Sequence, residues 1–224
     1  MTVSALLRMA HKYGLKDLED EATTRLKLAF PNTLRDFDKT YIFWERDDDF
    51  FISTQARMKL HAHDAIEAVN LAKTFDIPLI LPCAFYICST LPIETLVLGV
   101  SNPRGSRPVL SKADQIRCFQ GILELSRRYM ITIETLWHEV GKDDCDYQGT
   151  CQEYAKERAE ESERENDGPH SVDVLGSCLA KRCVVLQLLG GAKLCDKCIS
   201  RGGGVWGGLR SGTWQDLRKI FRLE

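Results

Sequence analysis

The sequence predicts a mainly α-helical (all-α) protein, an irregular multi-helix array with a partly disordered acidic linker and a C-terminal helical segment. Three observations lead there. Apolar residues recur at helical spacing along most of the first 140 residues, as in Leu6, Leu7 and Ala10, or Ile66, Val69 and Ala72. Glycine, proline and capping residues punctuate those runs at Gly14, Pro31, Pro78 and Ser111. Apolar residues make up 44% and charged residues 28%, the balance of a chain that folds around a core.

The elements follow in order. Val3, Leu6, Leu7 and Ala10 share one face, Gly14 interrupts, and Leu15, Leu18, Ala22 and Leu26 resume the period, so two short helices pack as a hairpin. His11 and Lys12 stand in the last turn before Gly14, where donor side chains suit the helix dipole and glycine suits a left-handed cap. Pro31 stops the second helix. From Thr40 to Phe51, Tyr41, Phe43, Trp44, Phe50 and Phe51 mix with the acidic run Asp47 to Asp49 and fit no period, which predicts an irregular packed loop. Asp64 opens a third helix with Ile66, Val69, Ala72 and Phe75 inward, and Ile77-Pro78 closes it, because the residue before proline avoids helical angles. Leu81, Ala84, Phe85 and Cys88 form the buried face of a fourth, and residues 91 to 100 allow a further turn.

Residues 101 to 108 read as a surface loop in which Arg104 and Arg107 are solvated by default, with contact to a partner as the alternative. Ser111 with Asp114 three residues on resembles a capping box, followed by a helix with Ile116, Phe119, Leu123 and Ser126 on one face and Ile133, Leu136 and Trp137 in its continuation. Residues 153 to 167 have almost no apolar side chains to offset the entropy of ordering, so they read as a solvated helix or a disordered linker. Beyond Ser171, Val172, Leu175, Leu179, Val184 and Leu188 are candidate core positions. Gly202, Gly203, Gly204, Gly207 and Gly208 each cost about 1 kcal/mol relative to alanine inside a helix, so a helix from Leu194 to Phe221 needs packing by Trp206, Trp214, Leu217 and Phe221.

Charge and cysteine usage narrow the function. With 30 basic against 32 acidic residues the formal charge is −2, so no global positive field exists for a nucleic-acid backbone or an anionic membrane, and protein partners are expected. The start of the chain lacks the pattern of a secretory signal, and apolar runs such as Ile77 to Ile87 are interrupted by proline and shorter than the roughly 20 residues of a membrane span. Nine cysteines in such a chain read as thiols or metal ligands, which places it in cytosol or nucleus.

Cys195-x-x-Cys198 has ideal spacing for zinc, and Cys145 with Cys151 is a looser second pair, so four thiolates would close a tetrahedral shell around a structural zinc ion. Cys178 and Cys183 compete as the second pair, and unliganded thiols are the alternative, since a lone Cys-x-x-Cys is common by chance. A redox role for the pair needs the strand-to-helix junction of a βαβ pattern, which does not appear. His61-x-His63 with Asp64 is a weaker metal or acid–base candidate, more simply an exposed helix entry. Cys83, Cys88 and Cys118 lie on apolar faces as small core residues. Gly202 to Gly208 lacks the Lys-Ser/Thr partner of a phosphate loop, and no nucleophile can be paired with a base, so no catalytic residue is assigned and no enzyme is expected.

Leu6-Leu7-Arg8-Met9-Ala10-His11-Lys12-Tyr13-Gly14-Leu15-Lys16-Asp17-Leu18 resembles the closing helix pair of the BTB (POZ) domain, with Ala10, Tyr13, Leu15 and Leu18 at the places of that family's Ala-x-x-Tyr and Leu-x-x-Leu. Phe30-Pro31-Asn32-Thr33-Leu34 and the segment from Ile66 to Tyr86 resemble a helical extension of basidiomycete BTB-domain proteins, which also end with a Leu-Cys-x-x-Cys and a Trp-x-x-Leu. Arg218 and Arg222 stand where that family would have proline and glycine. The resemblance implies a fungal adaptor or scaffold. It divides the chain into a BTB helix pair (1–30), a helical extension (31–141), a flexible acidic linker (142–170) and a Cys/Gly-rich helical segment (171–224). The BTB strands and dimer interface would precede Met1, so homodimerisation through them and a cullin-adaptor role are not expected of this chain. A zinc-containing transcriptional regulator is the alternative function.

Overall fold

Helical periodicity and well-placed breakers produce helices where the sequence asks for them. The computed structural model describes residues 3–40, 51–53, 59–100, 105, 107–142, 144–164 and 194–223. In chain order these form α1 (Val3–Tyr13), α2 (Lys16–Ala29), α3 (Leu34–Thr40), β1 (Phe51–Ser53), β2 (Lys59–His61), α4 (Asp64–Thr74), a 3-10 turn (Pro78–Ile80), α5 (Leu81–Ser89), α6 (Ile93–Leu98), α7 (Lys112–Glu139), α8 (Gln148–Arg164) and α9 (Asp196–Ile220). The protein is mainly α. Its described strands are the three-residue antiparallel pair β1–β2, with Ile52 opposite Leu60, which the sequence did not announce. The aromatic and acidic residues 41–50 lie outside the described residues.

By internal contacts the chain forms two units, Met1–Ile122 with Leu217–Glu224, and Leu123–Asp216. The breaks fall inside the long helices α7 and α9, whereas the sequence suggested divisions at 30/31, 141/142 and 170/171, the last of which lies outside the described residues. Composition marks linkers, whereas these breaks arise where one helix changes packing partners along its length.

In the first unit, α1 and α2 pack as the predicted hairpin around Gly14, whose φ of 65° is open to glycine at little cost. Leu7, Ala10, Ala22, Leu26 and Ala29 are buried, while Leu15 and Leu18 at the tip are exposed at 47% and 43%, against expectation. α1 meets α4 through Glu67, which receives the Ser4 hydroxyl and faces Arg8 at 4.0 Å. α4 ends before Ile77-Pro78 as predicted, and Asp64 accepts the His61 backbone N–H at 2.8 Å to close the turn that starts it. α5 is central: every residue from Cys83 to Ser89 is buried, and Pro82 in its first turn sacrifices an N–H that would have no partner there. Tyr86 meets Phe37 edge-on at 5.8 Å, and Phe85 stacks on Phe221 at 5.6 Å.

The capping box is present with a modification. The Asp114 N–H donates to Ser111 Oγ at 3.2 Å, while the Ser111 hydroxyl donates to the Asp114 carboxylate at 2.6 Å. That carboxylate is buried and also holds Lys73 from α4 and Arg117 at 3.0 Å. Burial raises its pKa, but hydrogen bonds from Lys73 and Ser111, the Lys73 charge and Arg117 outweigh this and hold it below the ordinary value. The buried residues of α7 are Asp114, Cys118, Gly121, Leu125, Thr132, Ile133 and Leu136. Ile116 and Leu123, expected inside, are exposed at 56% and 68%. An aspartate, a cysteine and a glycine carry little hydrophobic signal, so the period pointed to the wrong side.

In the second unit, Ile133, Leu136, Val140, Cys151, Tyr154, Ala155, Leu194, Cys195, Cys198 and Trp206 make one core. The acidic stretch is helical as far as Arg164, and Cys151, Tyr154 and Ala155 bury one face of its first turns in this core. α9 runs unbroken through its glycines because Trp206 is buried within this unit, which meets the stated condition. Its Leu217 is buried in the first unit, as is Phe221 just beyond its end. Val172, Leu175, Leu179, Val184 and Leu188 lie outside the described residues.

Candidate metal centre

The four cysteines singled out as zinc ligands come together in the second unit. α7 ends at Glu139, and Gly141 with φ 78° turns the chain back. The turn that follows carries Cys145, whose N–H donates to the Lys142 carbonyl at 2.7 Å. Cys151 lies in the first turns of α8, Cys195 immediately precedes α9, and Cys198 sits in the first turn of α9. Three sulfurs thus stand at helix N-termini, where unpaired amides favour negative charge.

The sulfurs of Cys145, Cys151, Cys195 and Cys198 all lie within 4.8 Å of one another. Cys145 is 3.5 Å from Cys198 and 3.6 Å from Cys195, too far for the roughly 2.05 Å of a disulfide. Zn–S bonds of about 2.3 Å in a tetrahedron set sulfur–sulfur edges of about 3.8 Å. The cluster therefore has the dimensions and the ligand chemistry of a four-thiolate metal shell.

Amides support the sulfurs from behind. Cys195 N–H donates to Cys151 Sγ at 3.4 Å and Gly141 N–H to Cys198 Sγ at 3.4 Å. Burial pushes the Cys195 thiol up, but the amides of Cys198 and Asp146 and the thiols of Cys198 and Cys145 outweigh it, and its pKa falls to about 6. Burial pushes Cys198 up to about 12 despite the Gly141 amide, and raises Cys151 as well. One negative charge is thus accommodated within the tetrad, while further ionisation is resisted. A dication at the centre removes that resistance, since it stabilises every thiolate around it.

Two ion pairs, invisible in the sequence, hold the Cys145 turn against α9. Lys197 contacts Asp146 at 2.5 Å, and Arg201 pairs with Asp144 while donating to the Glu139 carbonyl at 2.7 Å. The Asp/Lys and Asp/Arg partners are more than fifty residues apart, so no local pattern announces them.

The other candidates separate from this centre. Cys178, Cys183 and Arg104 lie outside the described residues, and Arg107 is exposed. His61 and His63 stack with centroids 5.1 Å apart, and Asp64 is engaged by backbone, so this trio is the entry to α4. Cys83, Cys88 and Cys118 are buried in the first unit, where burial and the neighbouring Cys118 thiol push Cys88 well up. Among the described residues, the cysteine tetrad is the one group of metal-ligating side chains brought together. No helix among them is long and apolar enough to cross a membrane. Comparison with family models, with curated proteins and with solved structures finds no match to this chain.

Proposed function

We propose that this chain is a helical protein-interaction module, an adaptor or scaffold without catalysis, whose second unit is clamped by one structural zinc ion on Cys145, Cys151, Cys195 and Cys198. The observation that carries the metal reading is the convergence of four sulfurs within 4.8 Å, with two edges close to a tetrahedral zinc shell. Four protein ligands leave no open position for water or substrate, which makes the ion structural. Reduced thiols of this kind suit cytosol or nucleus.

The interaction reading is supported by exposed apolar side chains on the α1–α2 hairpin, where Met9, Tyr13, Leu15 and Leu18 face solvent at 43% to 61%. It is the hairpin that resembles the closing helices of a BTB domain, and we carry that kinship forward as part of the proposal.

Purified full chain is expected to contain one zinc per molecule by elemental analysis, and the double variant Cys195→Ser, Cys198→Ser to contain none. A metal-free wild-type protein rejects the clamp. Affinity capture from a cell extract tests the partner class: protein partners that survive nuclease and high salt agree with the adaptor. Partners held through nucleic acid and lost with salt favour the zinc-containing regulator instead.

A further inference from the structure

The four sulfurs are not equivalent. Cys151, Cys195 and Cys198 are buried, and each accepts a backbone N–H: from Cys195, from Cys198 and Asp146, and from Gly141 respectively. Cys145 is half-buried, and among the described residues no amide reaches its sulfur. Hydrogen bonds to a metal-bound sulfur draw charge from it and lower its nucleophilicity. Cys145 is therefore the most electron-rich of the four, and it alone belongs to a residue that is not fully buried.

We propose that Cys145 is a thiol-modification site: a hydroperoxide oxidises it first, and it then closes a disulfide onto the Cys195-x-x-Cys198 pair, opening the shell and releasing the ion. This rests on the zinc reading above. The resolving thiols stand 3.5 Å and 3.6 Å away, so bonding needs an approach of about 1.5 Å. The approach is toward α9, against which the Asp146–Lys197 and Asp144–Arg201 pairs already hold the turn. Cys145 lies between helices, four residues after a glycine with φ 78°, whereas its partners are fixed at the start of the 25-residue helix α9.

The chemistry balances. The Cys145 thiolate attacks one oxygen of hydrogen peroxide, the O–O bond breaks, and hydroxide leaves to give the sulfenic acid. The thiolate of Cys195 or Cys198 then attacks the oxidised sulfur and expels a second hydroxide as the S–S bond forms. Two thiolates lose two electrons and one peroxide gains them. The two remaining thiolates are too few to hold the ion tightly, and it leaves as the dication. A dithiol reductant reverses the step.

Zinc-loaded full chain treated with hydrogen peroxide should release one zinc per chain to a chromogenic chelator. Peptide mapping should find Cys145 joined to Cys195 or Cys198, and dithiothreitol with added zinc should restore the starting state. The variant Cys145→His keeps a nitrogen ligand but has no thiol at that position. It is expected to bind zinc and to release it at least about tenfold more slowly under peroxide. Release from that variant at the wild-type rate overturns the proposal, as does a Cys195–Cys198 bond with Cys145 still reduced. Should the variant fail to take up zinc, the disulfide map of the wild type decides alone. Protein that carries no zinc from the outset overturns the clamp and the switch together; protein that holds zinc and withstands peroxide overturns only the switch.

Discussion

Two glycines in long helices show how much a single position depends on its surroundings. A Cβ added at Gly121 on α7 would run into the ring of Phe221, which is itself fully buried and stacked on Phe85. A Cβ added at Gly208 on α9 would meet open space. Gly121→Val is therefore expected to destabilise the protein by about 2 kcal/mol through overpacking, and Gly208→Ala to stabilise it by up to about 1 kcal/mol through helix propensity. Thermal denaturation of the two variants checks this, and the idea is wrong if both shift the midpoint the same way. Nothing in the sequence distinguishes these glycines, because the clash comes from a ring a hundred residues away. Cysteines are easier to read: the spacing of Cys195 and Cys198 announced a ligand pair, since two intervening residues keep both sulfurs near one helix start.

Among the elements, the junction of α4 with the start of α7 depends on one buried carboxylate. Asp114 is a helix cap in the sequence, but in the structure it also receives Lys73 and Arg117. Its pKa is depressed in the folded protein, so its contribution is fully present above the unfolded value of about 3.9 and is lost as pH falls through the lower folded value. Asp114→Asn should then cost about 1–3 kcal/mol at pH 7, because it leaves two cations with a neutral partner and those cations are partly solvated. The gap to wild type should narrow at an acid pH below the ordinary carboxylate value, as the wild-type side chain is neutralised in turn. Urea denaturation at the two pH values measures it, and a gap of equal size at both would refute the assignment. The cap was legible because its partners are three residues apart; Lys73 was not, being 41 residues away.

For the whole molecule, the second unit is built from sequence that local rules disfavour, an acidic helix and a glycine-rich one. Tyr154, Ala155 and Trp206 provide apolar burial, and the proposed ion, binding only the folded form, would add stability by mass action. That is why composition suggested a linker where the structure has a helix packed in its first turns. By itself the sequence determined the helical class, the boundaries set by Gly14, Pro31 and Pro78, and the Cys-x-x-Cys pair, because backbone preference and helical period act within a few residues. Only the tertiary structure decided that Cys145 and Cys151 complete the tetrad, that α7 turns Asp114 and Gly121 inward and leaves Ile116 outside, and that the two units divide within helices. Those outcomes rest on contacts between distant segments, whose free energy depends on which surfaces meet and leaves no periodic trace along the chain.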